Sequence, residues 1–247
     1  MELIGKKIVI TGAGRGLGRA MAICFAKEGA ELFLCARNVD KLEETQKLVE
    51  QNSGHKPFVY PVDLCKPEQI RAFADAVAAQ SGHVDILVNN GANWLSGDLE
   101  SASDEAISET INSAAVGTTV MTRHFLPLLR NSREADIVNM ISVCGVLNLQ
   151  HEAAHEAYHA AKHAQAGFTD RLRHRMKSEG IRVIAVYPPD FDNVSPLSEE
   201  WKREREVKAG QRISNRHVIE AIQFALTRDR ICSVNSIHLD SWPSISV

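Results

Sequence analysis

Short β-branched runs alternate with longer helix-spaced stretches from one end of this 247-residue chain to the other. That rhythm is the sequence sign of a parallel sheet with helices packed on it. Strand-like runs occupy Lys7–Thr11, Glu31–Cys35, Phe58–Val62, Ile86–Asn89, Asp136–Ile141, Arg182–Tyr187 and Ser236–Leu239. Several are almost continuously apolar, as strands covered on both faces must be. Helical spacing fills 16–28, 39–52, 66–80, 103–130, 155–178 and 215–227, for instance through Ile70, Phe73, Ala74, Val77 and Ala78. The expectation is an α/β chain: one doubly wound, Rossmann-type domain over 1–247, with a seven-stranded parallel sheet flanked by helices on both faces. No repeat, Gly/Ser linker or low-complexity tract marks a domain boundary. The polar run Glu200-Trp201-Lys202-Arg203-Glu204-Arg205-Glu206 lies within 190–212, which reads as a substrate lid or as plain charged surface.

Composition narrows the partners. Lys and Arg number 28 against 31 Asp and Glu, a net charge of -3 with no basic block, which argues against a nucleic-acid surface and for a small-molecule substrate. No apolar stretch approaches the roughly 18 residues of a membrane span, and no signal-peptide pattern precedes the first strand, so the expected location is the cytoplasm. Cysteines 24, 35, 65, 144 and 232 are scattered and form no C-x-x-C pair; they read as reduced thiols filling the core.

After the first strand comes Thr11-Gly12-Ala13-Gly14-Arg15-Gly16-Leu17-Gly18, running into a helix. Without Cβ atoms, such a loop lets backbone N–H groups and a helix N-terminus approach a pyrophosphate, so a dinucleotide site is expected over Gly12, Gly14, Arg15, Gly16, Leu17 and Gly18. The spacing fits T-G-x-x-x-G-x-G; a plain connecting turn is the alternative. The second strand ends Ala36-Arg37, where an NAD site would carry a carboxylate for the ribose hydroxyls. Guanidiniums at Arg15 and Arg37 instead suit a 2′-phosphate, which favours NADP(H) over NAD(H); an exposed Arg37 in a protein accepting both is the alternative.

Tyr158 and Lys162 stand four apart in a helical stretch, hence on one face, and a cation beside a phenol lowers the phenol's pKa toward a useful range. Ser142 follows a buried strand sixteen residues earlier. Y-x-x-x-K alone is a weak pattern. Joined to the glycine loop, Asn89-Asn90 after the fourth strand and Ser142 after the fifth, it makes nearly the whole chain resemble the short-chain dehydrogenase/reductase family, and the Arg15/Arg37 pair resembles its NADPH-preferring members.

That resemblance implies hydride exchange between a nicotinamide and a carbonyl, as in carbonyl reductases. Tyr158 would serve as acid/base, Ser142 would hold the carbonyl oxygen, and Lys162 would hold the nicotinamide ribose and depress the Tyr158 pKa. It also implies Asp63 and Leu64 beside the adenine, Asn89 behind the cofactor, Gly91 and Pro188 along the nicotinamide path, and a homodimer or homotetramer. A cofactor-binding redox sensor or scaffold with little catalysis is the rival reading.

The sequence departs from the family pattern at four places. N-N-A-G reads Asn89-Asn90-Gly91-Ala92; the catalytic asparagine slot holds Ala114, and Asn112, two residues away, reaches that face only through a local helix bulge. Losing the asparagine removes a water-mediated relay to Lys162. Pro-Gly reads Pro188-Pro189, with Asn193 in place of a threonine. The loop between Ser142 and Tyr158 is about three residues longer than usual and carries His151, Glu152, His155 and Glu156; His151 and His155 are candidate substrate contacts. Two overlapping H-E-x-x-H strings, 151–155 and 155–159, raise a zinc hydrolase as a further rival, but no third ligand stands out and no metal site is expected.

Overall fold

A computed structural model describes residues 3–149, 153–203 and 210–242. All seven expected strands form, each ending within a residue of its expected bounds: β1 (Lys7–Thr11), β2 (Glu31–Ala36), β3 (Phe58–Pro61), β4 (Ile86–Asn89), β5 (Asp136–Met140), β6 (Arg182–Tyr187) and, last in the chain, β9 (Ser236–His238). They build one parallel sheet in the order β3-β2-β1-β4-β5-β6-β9. The winding reverses between β1 and β4, and in sheets of this kind ligands bind in the crevice beyond the carboxyl ends of the strands at that reversal.

Alternation along β1 shows how the layers are made. Ile8 and Ile10 face a core shared with α1 (Gly16–Lys27), α2 (Val39–Ser53) and α7 (Asn215–Leu226), whereas Val9 faces α3 (Pro67–Gln80), α5 (Gly117–Arg130) and α6 (Glu156–Met176). Period-two side-chain direction thus feeds two apolar cores, one on each face of the sheet. Local signals set the helix ends: Asn38 caps α2 by accepting from the Lys41 N–H at 2.8 Å, Gly54 closes it with φ +75°, and Pro67 opens α3. At the amino ends of the strands, Asp136 accepts from Arg182 Nε and Nη2, both at 2.8 Å, and from Arg230 Nη1 at 2.7 Å.

Three features differ from expectation. The stretch 103–130 is not one regular helix: α4 (Asp104–Ile111) passes through a π-helical turn at Asn112–Val116 before α5 begins. Gly117 closes that turn against Leu64, whose carbonyl oxygen would lie 2.9 Å from an added Cβ. The segment 190–212 is pinned at both ends by a short parallel pair, β7 (Phe191–Asp192) with β8 (Ile213–Ser214), and by Asn215, which bonds both the N–H and the carbonyl of Val194 at 3.0 Å. Two-residue strands are too short to show a period. Within that segment Glu199–Lys202 forms a 3-10 turn, and 204–209 lie outside the described residues. Finally, Cys35 and Cys144 fill the core as expected, but Cys24 and Cys65 are only partly buried and Cys232 is exposed, being placed in the loop before β9. No helix among the described residues is long and apolar enough to cross a membrane.

Candidate active site

The carboxyl ends of β1 and β4 are tied together. Thr11 Oγ1 accepts from the N–H groups of Asn90 and Gly91, each at 2.9 Å, and Asn90 Nδ2 donates to the Thr11 carbonyl at 2.9 Å. Between them the backbone packs too closely for side chains: a Cβ on Gly18 would stand 2.3 Å from the Gly12 carbonyl oxygen, one on Gly12 2.8 Å from Gly91 Cα, and one on Gly91 2.6 Å from Leu64 Cδ1. Gly12 (φ +69°) and Gly16 (φ +55°) also need the left-handed region. The order Gly91-Ala92 therefore puts the glycine against Leu64 and the Gly12 backbone, where a side chain would make the Leu64 side chain shift.

Two carbonyls of the loop are engaged on the side of α2: Thr45 Oγ1 donates to Ala13 at 2.9 Å and Arg19 Nη2 donates to Gly14 at 2.7 Å. On the other side, α1 begins with no side-chain cap and no acidic residue in its first turn. Its leading N–H groups and dipole are free to meet an anion. A cavity of about 740 Å³ opens there, and Gly12, Gly14, Arg15, Gly16, Leu17 and Gly18 all line it.

Arg37 also lines this cavity, more than half exposed and loosely paired with Glu109 at 3.8 Å, together with Asp63, Leu64 and Gly91. Asn38 and Lys41 stand with them; sequence reasoning missed both, although the capping asparagine three residues before a lysine was a visible helix-start signal. Asn193 reaches the glycine loop from across the cavity, its Oδ1 standing 3.2 Å from where a Gly16 Cβ would be. Asn89 is buried, its Nδ2 donating to Asn139 Oδ1 at 2.8 Å and Thr122 Oγ1 at 3.1 Å while its Oδ1 has no hydrogen-bond partner among the described residues.

Ser142, Tyr158 and Lys162 come together beside this crevice. Ser142 follows β5 with φ +149° and ψ 160°, a conformation nearly reserved for glycine, and its Oγ accepts from the Cys144 N–H at 3.2 Å. Strain of this kind, of order 1–3 kcal/mol, persists only where the surroundings enforce it. Pro188 is buried rather than on the cavity wall; its carbonyl accepts from the Val143 N–H at 3.1 Å and so braces the Ser142 turn.

Tyr158 lies in the first turn of α6, with its hydroxyl near enough to Ser142 for that side chain to favour the phenolate. The Trp94 indole, on the cavity wall, stands edge-on to the phenol ring at 4.6 Å. A bridge between Ser96 and Ala154 and a bond from the His155 N–H to the Leu95 carbonyl at 3.2 Å hold the two loops in that relation. His155 is fully buried and caps α6, its Nδ1 accepting from the Ala157 N–H at 2.9 Å; its Nε2 has no hydrogen-bond partner among the described residues. His151 lies outside the described residues. Among the described residues no three His, Cys, Asp or Glu side chains converge as a metal ion requires.

Lys162 is buried one turn beyond Tyr158, its Nζ 5.4 Å from the phenol centroid, donating to the Met140 carbonyl at 3.0 Å and to Gln165 Oε1 at 2.8 Å. The expected electrostatics are reversed here. Burial pushes the Tyr158 phenol up, with the Ser142 side chain working against it, and burial brings the Lys162 ammonium down to about 7. Loss of water sets both directions, because it disfavours the charged form of each group. The helix bulge needed to redirect Asn112 exists, yet Asn112 remains exposed and Ala114 is fully buried.

Sheet order, glycine crevice and the Ser142/Tyr158/Lys162 cluster define an α/β protein with a crevice shaped for a dinucleotide. The short chain dehydrogenase family model matches residues 6–206, and the chain belongs to that family. It is 33% identical over 184 residues to mouse dehydrogenase/reductase SDR family member 7B, covering 73% of this chain and 56% of that protein. With human retinol dehydrogenase 11 it shares 31% over 198 residues, covering 76% and 62%. The chain thus spans somewhat over half the length of these relatives. Among solved structures it is similar to an alcohol dehydrogenase from the archaeon Thermococcus sibiricus complexed with 5-hydroxy-NADP (TM-score 0.81, 25% identity, covering 96% and 97%). The L-sorbose reductase of Gluconobacter frateurii, complexed with NADPH and L-sorbose, shares the fold (TM-score 0.84, 24% identity, covering 100% and 99%).

Proposed function

We propose that this chain is an NADP(H)-dependent oxidoreductase that interconverts a ketone or aldehyde and an alcohol. The observation that carries the reading is the nearness of Ser142, Tyr158 and Lys162 to one another, with Trp94 joining Tyr158 to the wall of the glycine-lined cavity. The dinucleotide supplies the hydride when bound. The bare N-terminus of α1 and the Gly12–Gly18 loop fit its pyrophosphate, and Arg15, Arg37 and Lys41 offer cations for a 2′-phosphate with no carboxylate at the end of β2. The NADP-type ligands named for two of the similar structures support the same choice.

In this reading Ser142 Oγ donates to the carbonyl oxygen, and the Tyr158 hydroxyl passes its proton to that oxygen in reduction and takes it back in oxidation. Lys162, when charged, favours the phenol's release of that proton. Trp94 bounds the substrate side, Phe191 and Asn193 line the cavity from the start of the lid segment, and His155 starts the helix that carries Tyr158 rather than touching substrate. The same proposal takes 1–247 as one domain acting as a homodimer or homotetramer.

The test follows NADPH absorbance against a panel of ketones and aldehydes. Wild type is expected to oxidise NADPH with at least one of them, and Tyr158→Phe to lose about 10²–10⁴-fold in turnover while binding NADPH within a few-fold of wild type. Tight NADPH binding with no carbonyl consumed would overturn the enzyme reading in favour of a cofactor-bound sensor.

A further inference from the structure

Gln165 sits buried on α6, one turn beyond Lys162, where an apolar side chain would fill the same space without desolvating an amide. Both ends of that amide are used. Its Oε1 accepts from Lys162 Nζ at 2.8 Å, and its Nε2 donates to Thr118 Oγ1 at 2.7 Å. A lysine ammonium has no acceptor, so the oxygen must face Lys162; turning the amide over would set its NH₂ against the ammonium. Thr118, also buried, lies one residue inside α5, whose rotation is set by the π-helical turn ending at Val116.

The backbone at Gln165 is held as well. Its carbonyl accepts from Thr169 Oγ1 at 2.6 Å, and Thr169 in turn accepts from Asn139 Nδ2 at 2.9 Å. The bond network therefore runs from α5 through α6 to β5.

We infer that Gln165, fixed by Thr118, is a positioning residue that holds and orients the Lys162 ammonium, in the part an asparagine would play had Ala114 not taken its place. The inference rests on the proposed Ser142/Tyr158/Lys162 chemistry. The titratable groups around Lys162 are Tyr158 on its own helix and Cys144 from the turn after β5, with Asp190 after β6 acting on Tyr158. Among them none supplies a carboxylate contact to Lys162, which leaves its charge to neutral acceptors: the Met140 carbonyl and the Gln165 amide. An acceptor on the ammonium favours the protonated form. Because burial brings Lys162 to about 7, its charge near neutrality turns on that acceptor.

The measurement is the ionisation of Lys162 in the cofactor-free protein, followed by NMR of ¹³Cε-labelled lysine and assigned with Lys162→Met. Gln165→Leu is expected to lower the Lys162 midpoint by about one pH unit and Gln165→Glu to raise it by a similar amount. Thr118→Val, which leaves Gln165 in place but frees its amide, is expected to shift it the same way as Gln165→Leu and less; it carries the test should Gln165→Leu not fold. In NADPH turnover, Gln165→Leu should cut kcat at pH 7 about fivefold with the KM for NADPH nearly unchanged, and Gln165→Glu should keep kcat at or above wild type. An unmoved Lys162 midpoint in folded Gln165→Leu, or in Thr118→Val, overturns the inference. A wild type inert toward every carbonyl overturns the proposed function instead, and the titration, which needs no cofactor, separates the two.

Discussion

Replacing Gly18 by alanine loads the crevice and little else. The new methyl would lie 2.3 Å from the Gly12 carbonyl oxygen and 2.8 Å from Asn90 Nδ2, where ordinary contact begins at 3.4 Å. The amide of Asn90 can turn, but the carbonyl is backbone and must itself move by about 1 Å. Gly12 has no room to retreat, since Gly91 Cα stands behind it. Overpacking of this size costs about 1–3 kcal/mol, and for a chain of this length each kcal/mol lowers Tm by about 2–4 °C, so the melt should fall by roughly 2–12 °C. The displaced loop amides should also weaken NADPH binding by about 10²-fold, the usual penalty for misplacing a close-fitting group by 1 Å. Gly167→Ala is the matched control: it is exposed in the middle of α6 with nothing within 4 Å of its added methyl. It should stabilise the protein by about 0.5–1 kcal/mol and leave binding alone. Thermal melts and NADPH fluorescence titrations on both variants decide the matter. If Gly18→Ala melted and bound like wild type, the loop would not be packed as described and the crevice argument would fail.

Two further variants test the electrostatics. Lys162 titrates near 7 when folded and near 10.5 when free, so between those values the unfolded chain holds the extra proton and stability rises with pH. The stability of wild type relative to Lys162→Met should therefore climb by about 1.4 kcal/mol per pH unit across that window, read by urea melts at several pH values; a flat difference would refute the burial reading. Asp136→Asn strips one carboxylate from two guanidiniums at the amino ends of the strands. Breaking a buried pair in this way costs about 3–5 kcal/mol, or roughly 6–20 °C in Tm. NADPH affinity, which the proposed function assigns to the opposite ends of the same strands, should hold, and a large loss of affinity at unchanged Tm would contradict that division.

The sheet and the crevice were legible because their signals are local. A short β-branched apolar run, a glycine every few residues and an i,i+4 pair each leave a mark that needs no knowledge of neighbours, and strands β1 to β6 and the Gly12–Gly18 loop followed from them. What escaped depended on contacts between distant segments. Gly91 packs against Leu64 and Gly12, and no local rule says which of Gly91 and Ala92 meets them. The π-helical turn at Asn112–Val116 keeps helical spacing on both sides, so hydrophobic periodicity passes over it, although it decides whether Thr118 faces α6. Charge was the hardest to read. Tyr158 and Lys162 four residues apart suggest a cation easing a phenol's ionisation, and that holds only if the lysine stays charged. Burial works against it, because the same packing that fixes the ammonium beside the ring removes the water that would solvate it. A buried lysine in this place needs acceptors, and the sequence offers one at Gln165 only to a reader who knows that the helix turns that residue inward and that Thr118 lies across from it.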